Sequence, residues 1–508
     1  MSRLARTGAF CWFLVSGFWF LVSGFWCELS ALDGLMTGCE YVGLVAGPGK
    51  QTTTGKRKKA VARRTPSRRL TASKRYKTRY RRYVTRNQKP ETGNYPPPDS
   101  AFRARYPELP ADFQPAFMRP ELNRIEEGSA GPDALRTFRA AVARLAAGEK
   151  RQVRILHLGD SHLQADLLTG RAREAWQDPA LGGYGSAGRG LVFPYPLAHT
   201  NNPWDYRVTH TGQWTGHRSA IPAHVGRWGV AGLAATTATA GATFTVQLTG
   251  ATAARSPATR VRAFYPLADS SSFQVELLDS ANILRREADL AAGAVVWTLR
   301  QPVTAVAFRV RQTRPGQSRL VLQGLSLEND QPGVRYDVAG GNGATVDSYL
   351  RCGRLRRHTA SLAPDLIIVS LGTNDVFGGV FDSVAFRRSY GTLLQVLQRA
   401  APTASVLLTT PGDTFRNGRP NARTVVAARI IRELADEAGV AVWDFFALMG
   451  GLGAVRDWTA TGLAQRDFVH YTTKGYHLQG DLLTLALRSA LRAEGGPVAK
   501  PPLLADPR

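Results

Sequence analysis

The chain has 508 residues, of which 44% are apolar and 20% charged, as in a globular protein with a sizeable core. The length favours two folded units and a tail. The formal net charge of +26 resembles that of a nucleic-acid-binding protein, but 17 of the 65 Lys and Arg residues lie between residues 50 and 89, where there is no Asp or Glu. The four cysteines form no CxxC pair and no Cys/His ligand spacing, so neither a structural zinc nor a disulfide framework is predicted.

Residues 1–49 are predicted to be a signal peptide or an N-terminal anchor. Arg3 and Arg6 precede an uncharged run from Thr7 to Cys27 that is rich in Phe, Trp, Leu and Val, which is the layout of a secretory signal. The run is near the lower limit for crossing a bilayer, so cleavage and retention as an anchor both stay open. Export is therefore expected.

Residues 50–131 are predicted to be a disordered linker, basic at first and Pro-rich later. Its basic part interleaves Tyr76, Tyr80 and Tyr83 with Lys and Arg, and it has too little apolar surface to order itself. It is either a solvated spacer or a contact with an anionic surface such as lipid headgroups or wall polymers. No nucleic-acid recognition fold accompanies the run, so nucleic-acid binding is not expected.

Beyond the linker, short apolar strands alternate with amphipathic helices. Five strands are predicted at Val153–Leu158, Val334–Val338, Leu366–Leu371, Val406–Thr410 and Val440–Phe445. Helices are predicted at Pro132–Gly148, Leu163–Trp176, Val346–Ser361, Phe386–Ala400, Thr424–Ala438 and Thr473–Leu491. This alternation predicts an α/β domain with a parallel five-stranded sheet covered on both faces. The domain is assembled from residues 132–200 and 331–495, and residues 496–508 are predicted to be a disordered tail.

Residues 201–330 break the alternation with short runs rich in Val, Thr and Phe, separated by turn clusters and without a long helical period. The pattern predicts an all-β sandwich or jelly roll inserted between the first and second strands of the α/β domain. Trp204, Trp214 and Trp228 in this insert are candidates for stacking on sugar rings, although core packing is the commoner use of Trp.

Four short stretches carry residues suited to ester chemistry. Gly159–Ser161 follows the first strand, Gly340–Thr345 the second and Gly372–Asp375 the third, while Asp467–His470 precedes the last helix. In open α/β sheets the reactive crevice lies outside the carboxyl ends of the strands. The sequence therefore predicts that these stretches meet at one edge of the sheet.

Within these stretches the predicted nucleophile is Ser161, which needs a base to remove its proton. His470 is the predicted base, and Asp467 is predicted to hold the imidazole in one tautomer. The backbone amides of Ser161 and Gly343 and the side-chain amide of Asn374 are the predicted donors to the oxyanion. No cofactor and no metal ion are expected.

Each assignment has a structural alternative. Ser161 could be a helix N-cap, and Asp467 and Asn374 could be turn residues. Asp160 is interpreted as a structural acid that bonds nearby backbone amides. His157 is interpreted as a core histidine with satisfied hydrogen bonds, because it lies in the middle of the first strand.

The four stretches resemble, in order and at the expected element ends, the four sequence blocks of the GDSL/SGNH hydrolase family. The nucleophile block matches at Gly159–Ser161, with His162 where many members have Leu. The glycine block matches at Gly343, the asparagine block at Asn374, and the Asp-x-x-His block at Asp467–His470. The resemblance implies a three-layer flavodoxin-like hydrolase fold and a serine esterase that works through an acyl-enzyme.

The stretches His162–Asp166 and Gly188–Phe193 look most like a subgroup with a β domain inserted after the first block. Members of that subgroup remove O-acetyl groups from bacterial cell-wall glycans. The resemblance implies an acetylated glycan substrate, a carbohydrate-binding-like insert, and a periplasmic or outer-surface location. A recognition module of this kind should be removable without loss of small-ester hydrolysis.

Two other functions stay open. One is a glycan O-acetyltransferase that uses the same residues, with a sugar hydroxyl in place of water. The other is a non-catalytic glycan-binding protein.

Overall fold

The computed structural model of the protein describes residues 11–15, 18–22, 117–128 and 133–492. The chain divides into two units, Met1–Ala111 and Asp112–Arg508. In the first unit two short strands form an antiparallel pair. The predicted basic segment at 50–89, the predicted tail at 496–508 and most of the predicted signal or anchor lie outside the described residues. None of the helices in the described part of the chain has the length and apolar character needed to span a bilayer.

The strands of the described residues are β1 (Cys11–Val15), β2 (Phe18–Val22), β3 (Gln152–Gly159), β4 (Gly188–Val192), β5 (Tyr206–His210), β6 (Thr215–Arg218), β7 (Leu233–Thr237), β8 (Thr243–Leu248), β9 (Ala258–Phe264), β10 (Gln274–Leu277), β11 (Ile283–Asp289), β12 (Ala294–Val303), β13 (Ala305–Arg311), β14 (Leu320–Leu322), β15 (Gly324–Glu328), β16 (Gly333–Gly340), β17 (Leu366–Ser370), β18 (Ser405–Thr409), β19 (Phe415–Arg416), β20 (Arg419–Pro420) and β21 (Ala441–Trp443). The α-helices are Arg136–Ala146, Ser161–Gln164, Leu167–Gln177, Gly250–Arg255, Val346–Leu350, Leu355–Leu362, Thr373–Phe377, Ser383–Ala400, Ala422–Ala438, Phe445–Leu448, Val455–Ala460 and Thr473–Arg492. Short 3-10 helices span Pro120–Leu122, Pro179–Leu181, Tyr195–Ala198 and Ser280–Asn282.

The α/β part is built on a parallel five-stranded sheet with the order β16-β3-β17-β18-β21. Counted along the chain, this is the order 2-1-3-4-5 of doubly wound, flavodoxin-like folds. Strands β3, β16 and β17 are buried along nearly their whole length, as expected for a parallel sheet covered on both faces. The predicted fold class is therefore confirmed.

The strand ends bring the predicted stretches together. In the pairing register Gly159 at the end of β3 lies opposite Gly340 of β16 on one side and Ser370 of β17 on the other. The three carboxyl ends are thus level, at the point where the strand order reverses, which is the usual place of the ligand crevice in such sheets.

The predicted helix Leu163–Trp176 is instead two helices, Ser161–Gln164 and Leu167–Gln177. The break falls at Asp166, which has a left-handed conformation with φ 57°. Its carboxylate is fixed by Arg173 and Arg189, and these ion pairs hold a backbone conformation that the helical periodicity does not reveal.

The region between β3 and β16 forms antiparallel sheets with the orders β10-β13-β8-β5, β11-β12-β9-β15-β4 and β14-β7-β6. Their inward side chains share one apolar core, in which Trp297 of β12 meets Phe308 of β13 at a ring distance of 5.8 Å. The inserted β region is thus confirmed as a set of packed antiparallel sheets. Strand β4 pairs with β15, so these sheets include residues that precede the predicted boundary at residue 201.

Part of the predicted linker is packed against the α/β part. Glu126 forms a β-bridge with Val442, and Arg119 N–H donates to the Leu448 carbonyl at 2.8 Å. Glu127 forms an ion pair with Arg139 at 2.7 Å. Residues 117–128 therefore depart from the disordered linker predicted for 50–131, because backbone pairing and charge hold a segment of low apolar content.

Candidate active site

Ser161 is the first residue of the helix that follows β3. The side chain of Asp160 caps this helix by accepting the N–H of His162 at 3.0 Å. Burial raises the pKa of Asp160 to about 6, although hydrogen bonds and the neighbouring His470 oppose the shift. Among the described residues, no acceptor faces the N–H of Ser161. This N–H therefore lies at a helix start without a partner in the described residues, and an anion is stabilised at such a position.

A continuous hydrogen-bonded chain joins Ser161, His470 and Asp467. Ser161 Oγ lies 3.0 Å from His470 Nε2, and His470 Nδ1 lies 2.8 Å from Asp467 Oδ2. The geometry fits a neutral imidazole that donates through Nδ1 and accepts the serine proton at Nε2. The structure thus brings together the three residues that the sequence singles out for nucleophilic chemistry.

The turn around Asp467 keeps its carboxylate charged and oriented. Asp467 Oδ1 accepts the backbone N–H groups of Val469 and His470, both at 3.0 Å. Burial alone would raise the pKa of Asp467, but these bonds and the contact with the His470 ring lower it below its usual range. The carboxylate is therefore able to fix the tautomer of His470.

The three predicted oxyanion donors converge on the same edge. Gly343 has a φ of +77°, a conformation that a side chain disfavours, and no described residue accepts its N–H. Asn374 Nδ2 donates to the Ala344 carbonyl at 3.0 Å and to Asp160 Oδ2 at 3.2 Å. Both amide hydrogens of Asn374 already have acceptors, so Asn374 would have to give up one of these contacts to donate to an oxyanion.

His162 packs beside His470 of the hydrogen-bonded chain. Its Nδ1 lies 3.0 Å from Tyr476 Oη, and its ring centroid lies 5.3 Å from that of His470 and 5.6 Å from that of Tyr471. Burial lowers the pKa of His162 to about 3, with the neighbouring His470 adding to the effect. His162 is therefore a neutral aromatic neighbour of His470 and is unsuited to act as the base.

Other residues considered from the sequence fall outside the chemistry. His157 is fully buried, bonded to Tyr336 Oη at 2.9 Å and Ser370 Oγ at 2.7 Å, as a satisfied core histidine should be. Trp214 and Trp228 are buried, whereas Trp204 is 52% exposed. Of these three tryptophans, Trp204 alone has a face available to a ligand.

The structure adds residues to which the sequence assigned no role. Gln164, buried on the nucleophile helix, bonds to the loop that carries Gly343. Ala220 of the inserted region lies against the same loop, at the distance of an ordinary van der Waals contact from a Cβ built on Gly343. The one signal in the sequence was a glutamine among the apolar residues of a helix that faces the sheet.

Residues 305–478 match the family model of the GDSL-like lipase/acylhydrolase family. The matched range contains Gly343, Asn374, Asp467 and His470. Ser161 lies upstream of that range and is separated from it by most of the inserted region. No curated protein matches the chain.

The chain is similar to several solved structures. A structure of a peptidoglycan O-acetylesterase is similar with a TM-score of 0.57 and 20% identity, covering 72% of this chain and 99% of that chain. A lipase/acylhydrolase from Enterococcus faecalis has a TM-score of 0.26 and 23% identity, covering 31% of this chain and 77% of its own. An acetylxylan esterase from Geobacillus stearothermophilus has a TM-score of 0.25 and 17% identity, covering 33% and 75%.

Proposed function

We propose, from the premise that this chain is a carboxylic ester hydrolase of the GDSL/SGNH family, that it removes O-acetyl groups from a cell-wall or extracellular glycan. The observation that carries the proposal is the hydrogen-bonded chain from Ser161 through His470 to Asp467, set beside two backbone N–H groups without acceptors in the described residues. Such a set can activate a serine and stabilise the oxyanion that forms when an ester is attacked.

The reaction would follow in two halves. His470 Nε2 takes the hydroxyl proton as Ser161 Oγ attacks the acetyl carbonyl, and the N–H groups of Ser161 and Gly343 stabilise the resulting oxyanion. The bond to the sugar oxygen then breaks, and His470 returns the proton to that oxygen. Water attacks the acetyl-serine with the same histidine as base, and acetate leaves.

The glycan part of the proposal is supported by the breadth of one likeness. The fold shared with the peptidoglycan O-acetylesterase covers 72% of this chain, which is more than the parallel-sheet parts at 132–200 and 331–495 comprise. The inserted β region is thus part of the likeness. Trp204 adds an exposed indole, a side chain suited to stack on a sugar ring.

Export to the periplasm or outer surface completes the proposal, because a wall glycan is reached only outside the cytoplasm. Its support is the pattern of the first residues, where Arg3 and Arg6 precede the uncharged run from Thr7 to Cys27. The basic residues between 50 and 89 would lie beside anionic lipids or wall polymers. N-terminal sequencing of the protein recovered from cell fractions tests this part.

The direct test is release of acetate from O-acetylated peptidoglycan and from O-acetylated oligosaccharides. The parent should release acetate, and Ser161→Ala should reduce kcat by about 10⁴-fold or more. A chemically de-acetylated glycan is the control substrate. Absence of release from every acetylated glycan, or an unchanged rate in Ser161→Ala, would contradict the proposal. Adding an acceptor glycan reveals whether acetyl groups are transferred to sugar instead of water.

A further inference from the structure

The nucleophile helix and the loop that carries Gly343 are joined by one buried side chain. Gln164 is 1% exposed and ends the helix that begins with Ser161. Its Oε1 accepts the backbone N–H of Asn342 at 2.7 Å. Asn342 immediately precedes Gly343, so this bond fixes the peptide adjacent to the predicted oxyanion donor.

The other end of the same amide reaches the segment that leads into the inserted β region. Gln164 Nε2 donates to Thr200 Oγ1 at 3.0 Å, to Asn201 O at 2.9 Å and to Asn201 Oδ1 at 2.8 Å. Asn342 Nδ2 also donates to Asn201 Oδ1, at 2.6 Å. The side chains of Gln164 and Asn201, together with the backbone N–H and side chain of Asn342, thus form a closed triangle of hydrogen bonds, which we call the amide clasp.

Backbone packing around the clasp leaves the Gly343 loop little room to move. A Cβ on Gly340 would come within 2.5 Å of Gln164 N, so the helix rests directly on the end of β16. Tyr195 Oη donates to the Gly340 carbonyl at 2.8 Å from the other side. Beyond Gly343, the Ala344 carbonyl is held by Asn374 at 3.0 Å. The Gly343 peptide is therefore fixed on both sides.

We infer that Gln164 is a positioning residue, which, together with Asn201, aims the N–H of Gly343 at the oxyanion. This inference rests on the proposed function of Ser161 and Gly343. It follows that the start of the inserted region is part of the machinery for any acetyl ester, large or small, and not only a module for binding glycan. An oxyanion donor that is displaced by a fraction of an ångström loses transition-state stabilisation while substrate binding is kept.

The test compares Gln164→Met with Gln177→Met. Gln177 is a matched control because it is equally buried and also bridges backbone carbonyls, those of Gly188 at 3.0 Å and Val334 at 2.8 Å. Both changes remove a buried amide and leave its partners unpaired, so both should lower the unfolding temperature. Only Gln164→Met should impair the reaction.

With p-nitrophenyl acetate, Gln164→Met should lower kcat by about 10-fold or more, but by no more than the roughly 10²–10³ that loss of a whole oxyanion donor costs. KM should change by less than about twofold, because the interaction is made only in the transition state. Affinity for a boronic acid that mimics the tetrahedral state should fall in proportion to kcat. Gln177→Met should keep kcat within about twofold of the parent.

Asn201→Ala supplies a second variant, since Asn201 is exposed and its replacement should not prevent folding. It should lower kcat in the same direction, and the double variant with Gln164→Met should lose less than the product of the two separate losses. An unchanged kcat in Asn201→Ala together with equal losses in Gln164→Met and Gln177→Met would overturn the inference. Ser161→Ala separates the two claims. If Ser161→Ala is inactive while Gln164→Met is fully active, the proposed function is kept and the positioning role of Gln164 is contradicted.

Discussion

Two polar clusters of the described residues use aspartate side chains in opposite ways. In the hydrogen-bonded chain of Ser161, His470 and Asp467, the histidine and aspartate side chains are 31% and 17% exposed, so both are partly accessible from outside the protein. In the second cluster Asp166 and Asp205 meet Arg173 and Arg189, and all four side chains are at most 4% exposed.

The two clusters differ in whether every polar group is already paired, and we call the fully paired second cluster saturated. Arg189 donates to both carboxylates, at 2.6 Å to Asp166 and 2.9 Å to Asp205, and also to the Leu191 carbonyl at 2.8 Å. Burial would raise the pKa of Asp205, but Arg189 and Arg173 lower it below its usual range. A cluster with every group paired can hold elements together but cannot exchange a proton with a substrate. A partly exposed hydrogen-bonded chain that a substrate can reach is able to exchange a proton with it.

The largest effect is expected from breaking the half-exposed chain. His470→Ala should lower kcat/KM for an acetyl ester by about 10⁴-fold or more, because the serine then lacks a base. Asp467→Asn should cost less, about 10²- to 10⁴-fold, because the histidine remains but adopts the wrong tautomer. Asp467→Asn should also change the dependence of the rate on pH, because it removes the carboxylate that contacts the His470 ring.

Profiles of kcat/KM against pH for the parent and both variants provide the measurement. Their unfolding temperatures should stay close to that of the parent, since neither side chain is deeply buried. Equal rates and pH profiles in Asp467→Asn and the parent would mean that the reaction uses only the pair of Ser161 and His470. Full activity in His470→Ala would contradict the assignment of His470 as the base.

The saturated cluster should show the opposite response. Arg189→Met should destabilise the fold by about 3–5 kcal/mol, because it leaves buried carboxylates without a partner. Activity per folded molecule should be largely kept at low temperature. Arg285→Met, which breaks the exposed pair with Glu287 at 3.0 Å, is the control and should change stability very little. Chemical denaturation measures the difference, and similar midpoints for the two variants would contradict a structural role of the cluster.

The pH dependence of this stabilisation has a definite sign. The lowered pKa of Asp205 means that its contribution is fully present above the ordinary aspartate pKa of about 4 and is lost as pH falls below it. The stability gap between the parent and Arg189→Met should therefore be widest near neutral pH and narrow in acid.

The smallest effect is expected at Trp204, which immediately precedes Asp205 of the saturated cluster. Its Nε1 lies 3.4 Å from the Asp166 carbonyl, close to Gly170, and the indole is 52% exposed. Trp204→Ala should raise KM for an acetylated oligosaccharide about 3- to 10-fold, the size of one lost stacking contact, and leave kcat for p-nitrophenyl acetate unchanged. Trp204→Phe should recover part of the loss. Leu290→Ala, at another exposed apolar position, is the control; an equal rise in KM there would contradict a stacking role.

The sequence was sufficient to predict the sheet and the meeting of the four stretches at its edge, because both depend on local patterns. Each strand of the parallel sheet is a short apolar run, and Ser161, Asn374 and the Asp467–His470 pair follow or precede such runs at fixed offsets. It was insufficient where distant residues decide the structure. The break at Asp166 depends on Arg189, which lies 23 residues further along the chain.

The same reason explains why Gln164 was missed. Its three partners belong to two segments, one of them 178 residues away, and a single sequence does not reveal that they meet. The expectation that the inserted region can be removed without loss of small-ester hydrolysis stays untested, and the contacts of Asn201 with Gln164 and Asn342 now argue against it.

The central claim is that Ser161 is the nucleophile of this site. Reaction with a serine-directed fluorophosphonate, followed by intact mass and peptide mapping, tests it most directly. One adduct per molecule is expected, located on Ser161. It should be absent from Ser161→Ala, and its formation should be strongly slowed in His470→Ala. An adduct on another residue, or undiminished labelling of Ser161→Ala, would contradict it.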